Sequence, residues 1–187
     1  MLYPQILNIK KTNRIKQLLM LGSFFLAGIL VIVNFVIDSE NHWSLLCILG
    51  LLYVWVTVIY SMKRNINIAS HVMIQMIVIS ILTIGIDFVI GYKGWAMTIA
   101  VPIIIMAANL TMMILTIVSR KRYLKYAIYQ MIIFILSMIP CILMLCNLIE
   151  YGILIVIATG IATFSLFLTI LLCGREMLQE SVRRFHF

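Results

Sequence analysis

The chain has 187 residues, of which 64% are hydrophobic and 11% are charged, and its mean hydropathy is +1.16. Soluble domains are roughly 45–50% apolar and about 25% charged. This composition excludes a soluble globular fold, because too few polar side chains are present to cover its surface. A spanning helix needs about 20 apolar residues, so the length allows about seven or eight membrane spans at most.

Uninterrupted apolar runs bounded by charged residues predict six membrane-spanning helices that form three hairpins. The predicted spans are residues 18–37, 44–62, 67–91, 96–119, 124–149 and 152–174. The connections between them are too short to hold another domain or a catalytic lid. We therefore predict an all-α polytopic transmembrane bundle over residues 18–174, preceded by a basic interfacial segment at 1–17 and followed by an amphipathic tail helix at 175–187.

The basic residues predict the orientation of these spans. If six spans alternate, 13 of the 14 lysines and arginines lie on the side that holds both termini, and Lys93 lies alone on the other side. The positive-inside rule then places both termini in the cytoplasm, with the protein in the bacterial cytoplasmic membrane. The basic residues form short juxtamembrane clusters that suit anionic lipid headgroups. The expected partner of the +8 net charge is therefore the bilayer and not nucleic acid.

Catalytic and metal-binding signatures are missing from the sequence. The four cysteines all lie within predicted spans, and no pair of them has the C-x-x-C spacing of a zinc or redox site. The three histidines are scattered, and no H-E-x-x-H, G-x-S-x-G or phosphate-binding glycine loop occurs. We predict a protein that is not an enzyme and that uses no metal or cofactor.

One carboxylate, Asp87, falls within a predicted span. An ionised group at mid-depth costs about 2.5–3.5 kcal/mol on the insertion scale, and such groups usually face the bundle interior or a water-filled cavity. Ser80 and Thr83 precede Asp87 at spacings of three and four, which places all three on one helix face. This polar face is predicted to turn inward. The alternative is an interfacial carboxylate that reaches outward or pairs with Lys93.

Two prolines and several amides accompany Asp87 in the same half of the membrane. Each proline within a span frees a carbonyl one turn earlier, which a neighbour or water must satisfy. Their convergence predicts a pocket open to the outside, although the same groups also serve as hydrogen bonds between helices. The predicted ligand-binding residues are Asp87, Thr83, Ser80, Thr98, Asn109, Lys93, Trp95, Pro102, Pro140 and Asn147.

Short sequence signatures spread along nearly the whole chain carry a family resemblance. They are Tyr3-Pro4, Trp43-Ser44, Tyr53-Val54-Trp55, Lys63-Arg64-Asn65, Asp87 with Gly91-Tyr92-Lys93-Gly94-Trp95, Pro102, and Arg183-Arg184-Phe185-His186. The chain is similar to a six-helix bacterial membrane domain of unknown function, seen mainly in Firmicutes. That domain often follows a cytoplasmic zinc ribbon, whereas this sequence starts directly at the membrane domain. The resemblance implies the architecture and no activity.

Two functions fit these observations. The first is a small-molecule-binding or transport-associated membrane component with a polar pocket around Asp87. The alternative is a non-enzymatic accessory, regulatory or immunity-type membrane protein that acts through contacts with lipid, another membrane protein or a second copy of itself. The first is the predicted function. The basic inner face and the amphipathic tail fit the alternative, and the lack of a sharp chemical motif fits the alternative better than transport.

Overall fold

The computed structural model describes residues 9–37, 42–61, 67–118 and 123–184, with side chains at 14–37, 42–60, 67–118 and 127–172. Within these ranges the regular structure is entirely helical. The helices are α1 (Ile9–Ile37), α2 (Trp43–Ser61), α3 (Ile68–Val89), α4 (Val101–Val118, preceded by a π-helical turn at Ala96–Ala100), α5 (Tyr123–Leu145) and α6 (Ile153–Arg184). All six are long and apolar enough to cross a membrane. The prediction of an all-α fold with six such helices is confirmed.

The first and last helices extend beyond their predicted spans. α1 begins at Ile9, although the apolar run begins at residue 18, and α6 continues past residue 174 to Arg184. Hydropathy identifies the part of a helix that suits hydrocarbon, whereas the helix itself continues as long as its backbone hydrogen bonds do. The tail predicted at 175–187 is therefore a continuation of the last helix as far as Arg184. The predicted amphipathic face of this tail involves side chains outside the described set.

The helices divide into two compact units, and α1 and α2 form the first. They pack against each other as a hairpin. The Asn34 side chain on α1 accepts the backbone N–H of Ser44 in the first turn of α2, at 3.0 Å. Farther along the hairpin, the Trp55 indole N–H donates to the Ser23 hydroxyl at 2.6 Å. These two hydrogen bonds tie together helices whose other side chains are mostly exposed or half-buried.

The second unit consists of α3, α4, α5 and α6, and α4 lies at its centre. α4 contacts the other three helices, α5 packs against α6, and α3 contacts α5. Consequently α4 has the largest buried share of the six candidate spans. The apolar core takes residues from all four helices, including Met76, Ile105, Met112, Ile133 and Ala158.

Pro102 shapes the start of α4. Proline has no N–H to donate to the carbonyl one turn earlier, and its ring crowds that carbonyl, which here belongs to Thr98. The backbone widens into a π-helical turn just before the proline, where the Val101 N–H donates to the Ala96 carbonyl. The Thr98 carbonyl faces Gly152, where an added Cβ would lie 3.3 Å from the oxygen. Glycine at position 152 therefore permits the close approach between the chain entering α6 and the start of α4.

We expect Gly152→Val to destabilise the four-helix unit. The larger side chain would press on the Thr98 carbonyl, and overpacking of this kind typically costs about 1–3 kcal/mol. Gly160→Val, on α6, is the matched control because a Cβ there meets nothing within 4 Å. Thermal unfolding in detergent micelles should show a lower Tm for Gly152→Val and little change for Gly160→Val. Equal Tm values for the two variants would contradict this packing.

Candidate functional site

Asp87 closes the turn that joins α3 to α4. Its Oδ1 accepts the backbone N–H of Lys93 at 3.1 Å, and its Oδ2 accepts the backbone N–H of Gly94 at 3.0 Å. The residue is only 2% exposed. Successive backbone N–H groups in a turn form a concave nest that binds anions. The anion in this nest is the chain's own carboxylate.

Glycines make this turn sterically accessible. α3 ends in a Schellman motif in which Gly91 has φ +102° and the Tyr92 N–H donates to the Asp87 carbonyl at 2.8 Å. Tyr92 and Gly94 also have positive φ, at +50° and +76°. The Gly94 carbonyl then accepts both the N–H and the hydroxyl of Thr98, a residue in the first turn of the next helix. Asp87 thus holds the turn through its carbonyl as well as its carboxylate.

Asp87 is buried and contacts backbone groups of the turn that follows α3. Because the residue is buried, its carboxylate does not reach outward to solvent. Lys93 contacts it through the backbone N–H, while the Lys93 residue itself is exposed. Each carboxylate oxygen accepts one N–H of the turn and keeps a lone pair that could accept a further donor. Ligand binding at Asp87 stays a prediction.

The polar stripe on α3 lies along the packed side of that helix. Met76 and Asp87 are buried, and Ser80 and Thr83 between them are half-buried. The Ser80 hydroxyl donates to the Met76 carbonyl at 2.7 Å, and the Thr83 hydroxyl donates to the Ser80 carbonyl at 2.9 Å. Both hydroxyl protons are therefore used within the helix. Each oxygen keeps lone pairs that could accept a hydrogen bond.

Asn109 belongs to a second polar site, deep between α4, α5 and α6, which we call the buried amide cluster (Asn109, Gln130, Ser137 and Ser165). The Asn109 amide nitrogen donates to the Ile105 carbonyl at 2.9 Å and to the Ser137 hydroxyl at 3.2 Å. The Gln130 amide nitrogen donates to Asn109 Oδ1 at 3.0 Å and to the Ser165 hydroxyl at 2.9 Å. The four residues are at most 1% exposed. They join three helices.

The hydrogen-bond donors of the buried amide cluster are all committed. Asn109 must turn its nitrogen toward the Ile105 carbonyl, which can only accept, so its Oδ1 faces Gln130. Gln130 must then present its nitrogen to Asn109. The two serine hydroxyls donate to main-chain carbonyls, Ser137 to Ile133 and Ser165 to Asn109. Gln130 Oε1 is left buried, with no donor among the described residues.

The remaining predicted site residues lie near the start of α4 and on or just after α5, and their convergence on one pocket stays a prediction. Asn147 is exposed and has φ +57°, and it terminates α5 as the left-handed residue of a Schellman motif. Trp95 is half-buried at the start of the helix that follows the turn, and Pro102 and Pro140 are both buried. Of the predicted site residues, Lys93 and Thr98 are hydrogen-bonded at the Asp87 turn, and Asn109 is hydrogen-bonded in the buried amide cluster.

Sequence reasoning did not single out Ser165 or Thr169. They continue the row Ala158, Ala162, Ser165, Thr169 on α6, and all four residues are buried. Small residues spaced by three and four mark close helix contacts in membranes, so this row was the available signal. Within the described ranges, no three His, Cys, Asp or Glu residues come together as metal ligands would.

Six long apolar helices, with polar groups hydrogen-bonded inside the packed part, define a candidate multi-pass membrane protein of the all-α class. Over residues 3–187 the chain matches a family of unknown function (DUF6320), and it belongs to that family. No curated protein and no solved structure matches it. The predicted membership in a family of unknown function is confirmed, while the Firmicutes source and the association with a zinc ribbon stay predictions.

We expect Asp87→Ala to loosen the turn between α3 and α4. The change leaves the N–H groups of Lys93 and Gly94 without their acceptor, at a typical cost of about 1–3 kcal/mol. Hydrogen exchange of these two amides should accelerate, and formate, a carboxylate that fits the emptied nest, should slow it again. Thr111→Val removes an exposed hydroxyl bonded within α4 and should change neither amide. If formate fails to protect the amides in Asp87→Ala, the nest is not an anion site.

A double-mutant cycle should detect coupling between Asn109 and Gln130. Side-chain hydrogen bonds between membrane helices contribute about 0.6–2 kcal/mol, and each single change to Leu leaves the other amide short of one partner. The double variant should therefore be less destabilised than the sum of the two single variants, as measured by Tm in micelles. Strict additivity would mean that the hydrogen bond between the two amides does not contribute to stability.

Proposed function

We propose that the protein is a multi-pass protein of the bacterial cytoplasmic membrane with both termini in the cytoplasm. The location of 13 of the 14 basic residues on one side of six alternating spans supports this orientation. The six apolar helices support the multi-pass membrane location. Lys93 and Tyr151 then lie on the external side, and Lys16 lies at the cytoplasmic end of α1.

Single cysteines introduced into a cysteine-free background test this orientation. In intact cells a membrane-impermeant maleimide should label Lys93→Cys and Tyr151→Cys, both at exposed positions. Lys16→Cys should be labelled only after the membrane is opened. The reverse pattern would overturn the proposed orientation, and labelling of position 93 without 151 would overturn the span count.

Within that membrane we propose an accessory or regulatory role, exerted through contacts with protein or lipid and without catalysis. One observation carries this proposal: α1 and α2 form a unit of their own whose apolar side chains are largely exposed, among them Phe24 at 82% and Phe25 at 72%. A hairpin of this kind offers a large apolar surface to lipid or to a membrane-embedded protein. The predicted pocket residues support the same direction, since the fold uses Asp87 and Asn109 for its own hydrogen bonds.

Photo-crosslinking in cells tests this role. A photoreactive phenylalanine analogue placed at Phe24 should give a discrete protein adduct. The same analogue at Phe167, which is exposed on α6, serves as the control and should give lipid adducts alone. Identical adduct patterns at the two positions would contradict a specific contact surface on the first hairpin.

The second candidate is a small-molecule-binding or transport-associated component, and Gln130 Oε1 favours it. A buried acceptor without a protein donor suits a guest that brings its own donor. Thermal shifts measured over a panel of cations and vitamins test this role, with Gln130→Leu and Asp87→Asn as the variants. A shift that disappears in Gln130→Leu and persists in Asp87→Asn places the ligand at the buried amide cluster. The opposite pattern places it at the Asp87 turn, and no shift in the wild-type protein removes this candidate.

A further inference from the structure

A groove runs along the first hairpin between α1 and α2. Its α1 wall includes Ile15, Gly22 and Leu26, its α2 wall includes Leu51, Trp55 and Val58, and it encloses a cavity of about 490 Å³. That volume falls within the range of about 300–1,000 Å³ that is usual for small-molecule sites. The wall residues, except Ser23 and the Trp55 indole N–H, are hydrocarbon.

The polar atoms of the groove are already bonded to each other. The Ser23 hydroxyl donates to the Met20 carbonyl at 3.0 Å and accepts the Trp55 indole N–H at 2.6 Å. An indole has one donor and a hydroxyl has one, so neither residue can donate to an occupant. A polar guest would lose its hydration without gaining these hydrogen bonds. The groove therefore suits a hydrocarbon chain.

The length of the groove matches one leaflet of a bilayer. From Ile15 to Leu26 the helix rises roughly 17 Å, at about 1.5 Å per residue. Half of a hydrocarbon core that is about 30 Å thick is about 15 Å. An acyl chain that entered from one membrane surface would reach the bilayer midplane where the groove ends.

Two positively charged side chains lie at the end of the groove nearest the N-terminus of α1. Arg14 and Lys16 flank Ile15 on either side in the sequence, and α1 is helical there. At about 100° per residue their side chains leave α1 on either side of Ile15, which lines the groove. Positive side chains at the level of lipid headgroups attract anionic lipids by about 1 kcal/mol each.

We propose that this groove binds one acyl chain of an anionic phospholipid, whose headgroup phosphate is held by Arg14 and Lys16. The proposal rests on the proposed membrane location of the protein, and the proposed orientation assigns the lipid to the inner leaflet. Four features favour this occupant over a soluble ligand. They are the hydrocarbon walls, the polar atoms already hydrogen-bonded to the protein, a length that matches one leaflet, and the positive charges at the rim.

Native mass spectrometry of the full chain, released from micelles that contain phosphatidylglycerol or phosphatidylcholine with identical acyl chains, tests the proposal. The wild type should retain phosphatidylglycerol in preference to phosphatidylcholine. Gly22→Leu fills the groove and should abolish this retention. Gly28→Leu is the matched control, because a Cβ meets nothing within 4 Å at either glycine and only Gly22 lines the groove.

Charge variants provide an independent arm. Arg14→Gln with Lys16→Gln should weaken phosphatidylglycerol binding roughly fivefold for each charge removed, while Lys93→Gln should leave it unchanged. The proposal is overturned if Gly22→Leu binds like the wild type, or if both lipids bind equally and the charge variants have no effect. A wild-type dimer that Gly22→Leu converts to monomer would assign the groove to a second copy instead. Each of these results leaves the maleimide test of orientation intact, so the two proposals fail separately.

Discussion

Hydrocarbon offers no partner to a hydrogen-bonding group, so a polar group in a membrane span is costly unless the protein satisfies it. Two side-chain clamps, Asn34 and Asp87, hold the turns of the first two hairpins and follow from this constraint. Asn34, near the end of α1, accepts the backbone N–H of Ser44 in the first turn of α2, and Asp87, near the end of α3, accepts two N–H groups of the turn that follows. In the first hairpin the acceptor serves the start of α2, and in the second it serves the turn that leads to α4. The clamps thereby fix where the chain reverses.

Inside the second unit the same constraint gives the buried amide cluster its orientation. Hydroxyls that donate to carbonyls of their own helix can still accept from an amide of another, as Ser137 and Ser165 do. The direction of each hydrogen bond then follows from the Ile105 carbonyl, which accepts and never donates. Gln130 Oε1 is left without a partner among the described residues, because every donor of the cluster is already used in another hydrogen bond. Its isolation is therefore a consequence of the network around it.

Patterns of hydrophobicity and charge predict the helices well, because a span's length and its flanking cations are properties of the chain alone. They also identify Asp87, since one carboxylate among apolar residues is visible without coordinates. What they could not give was its partners, because nest geometry depends on the φ angles of Gly91, Tyr92 and Gly94. Similarly, Asn109 was predicted to face an outer pocket, and only the packing of α5 and α6 against α4 joins it to Gln130 and Ser165. The division of the helices into two compact units also lies beyond such patterns.

The polar side chains have different roles in the two units, and this difference determines how each unit could select a ligand. In the second unit the described polar side chains of the Asp87 turn and of the buried amide cluster hold helices and turns together, and Gln130 Oε1 is an acceptor left over. In the first unit Trp55 donates its indole N–H to Ser23 and Ser23 donates its hydroxyl to Met20, so neither Trp55 nor Ser23 can donate a hydrogen bond to an occupant of the apolar groove. Selectivity at that groove must then come from its length and from the charges at its rim, since dispersion contacts alone distinguish hydrocarbon chains poorly. In the proposed lipid complex, Arg14 and Lys16 would be the residues that distinguish one headgroup from another.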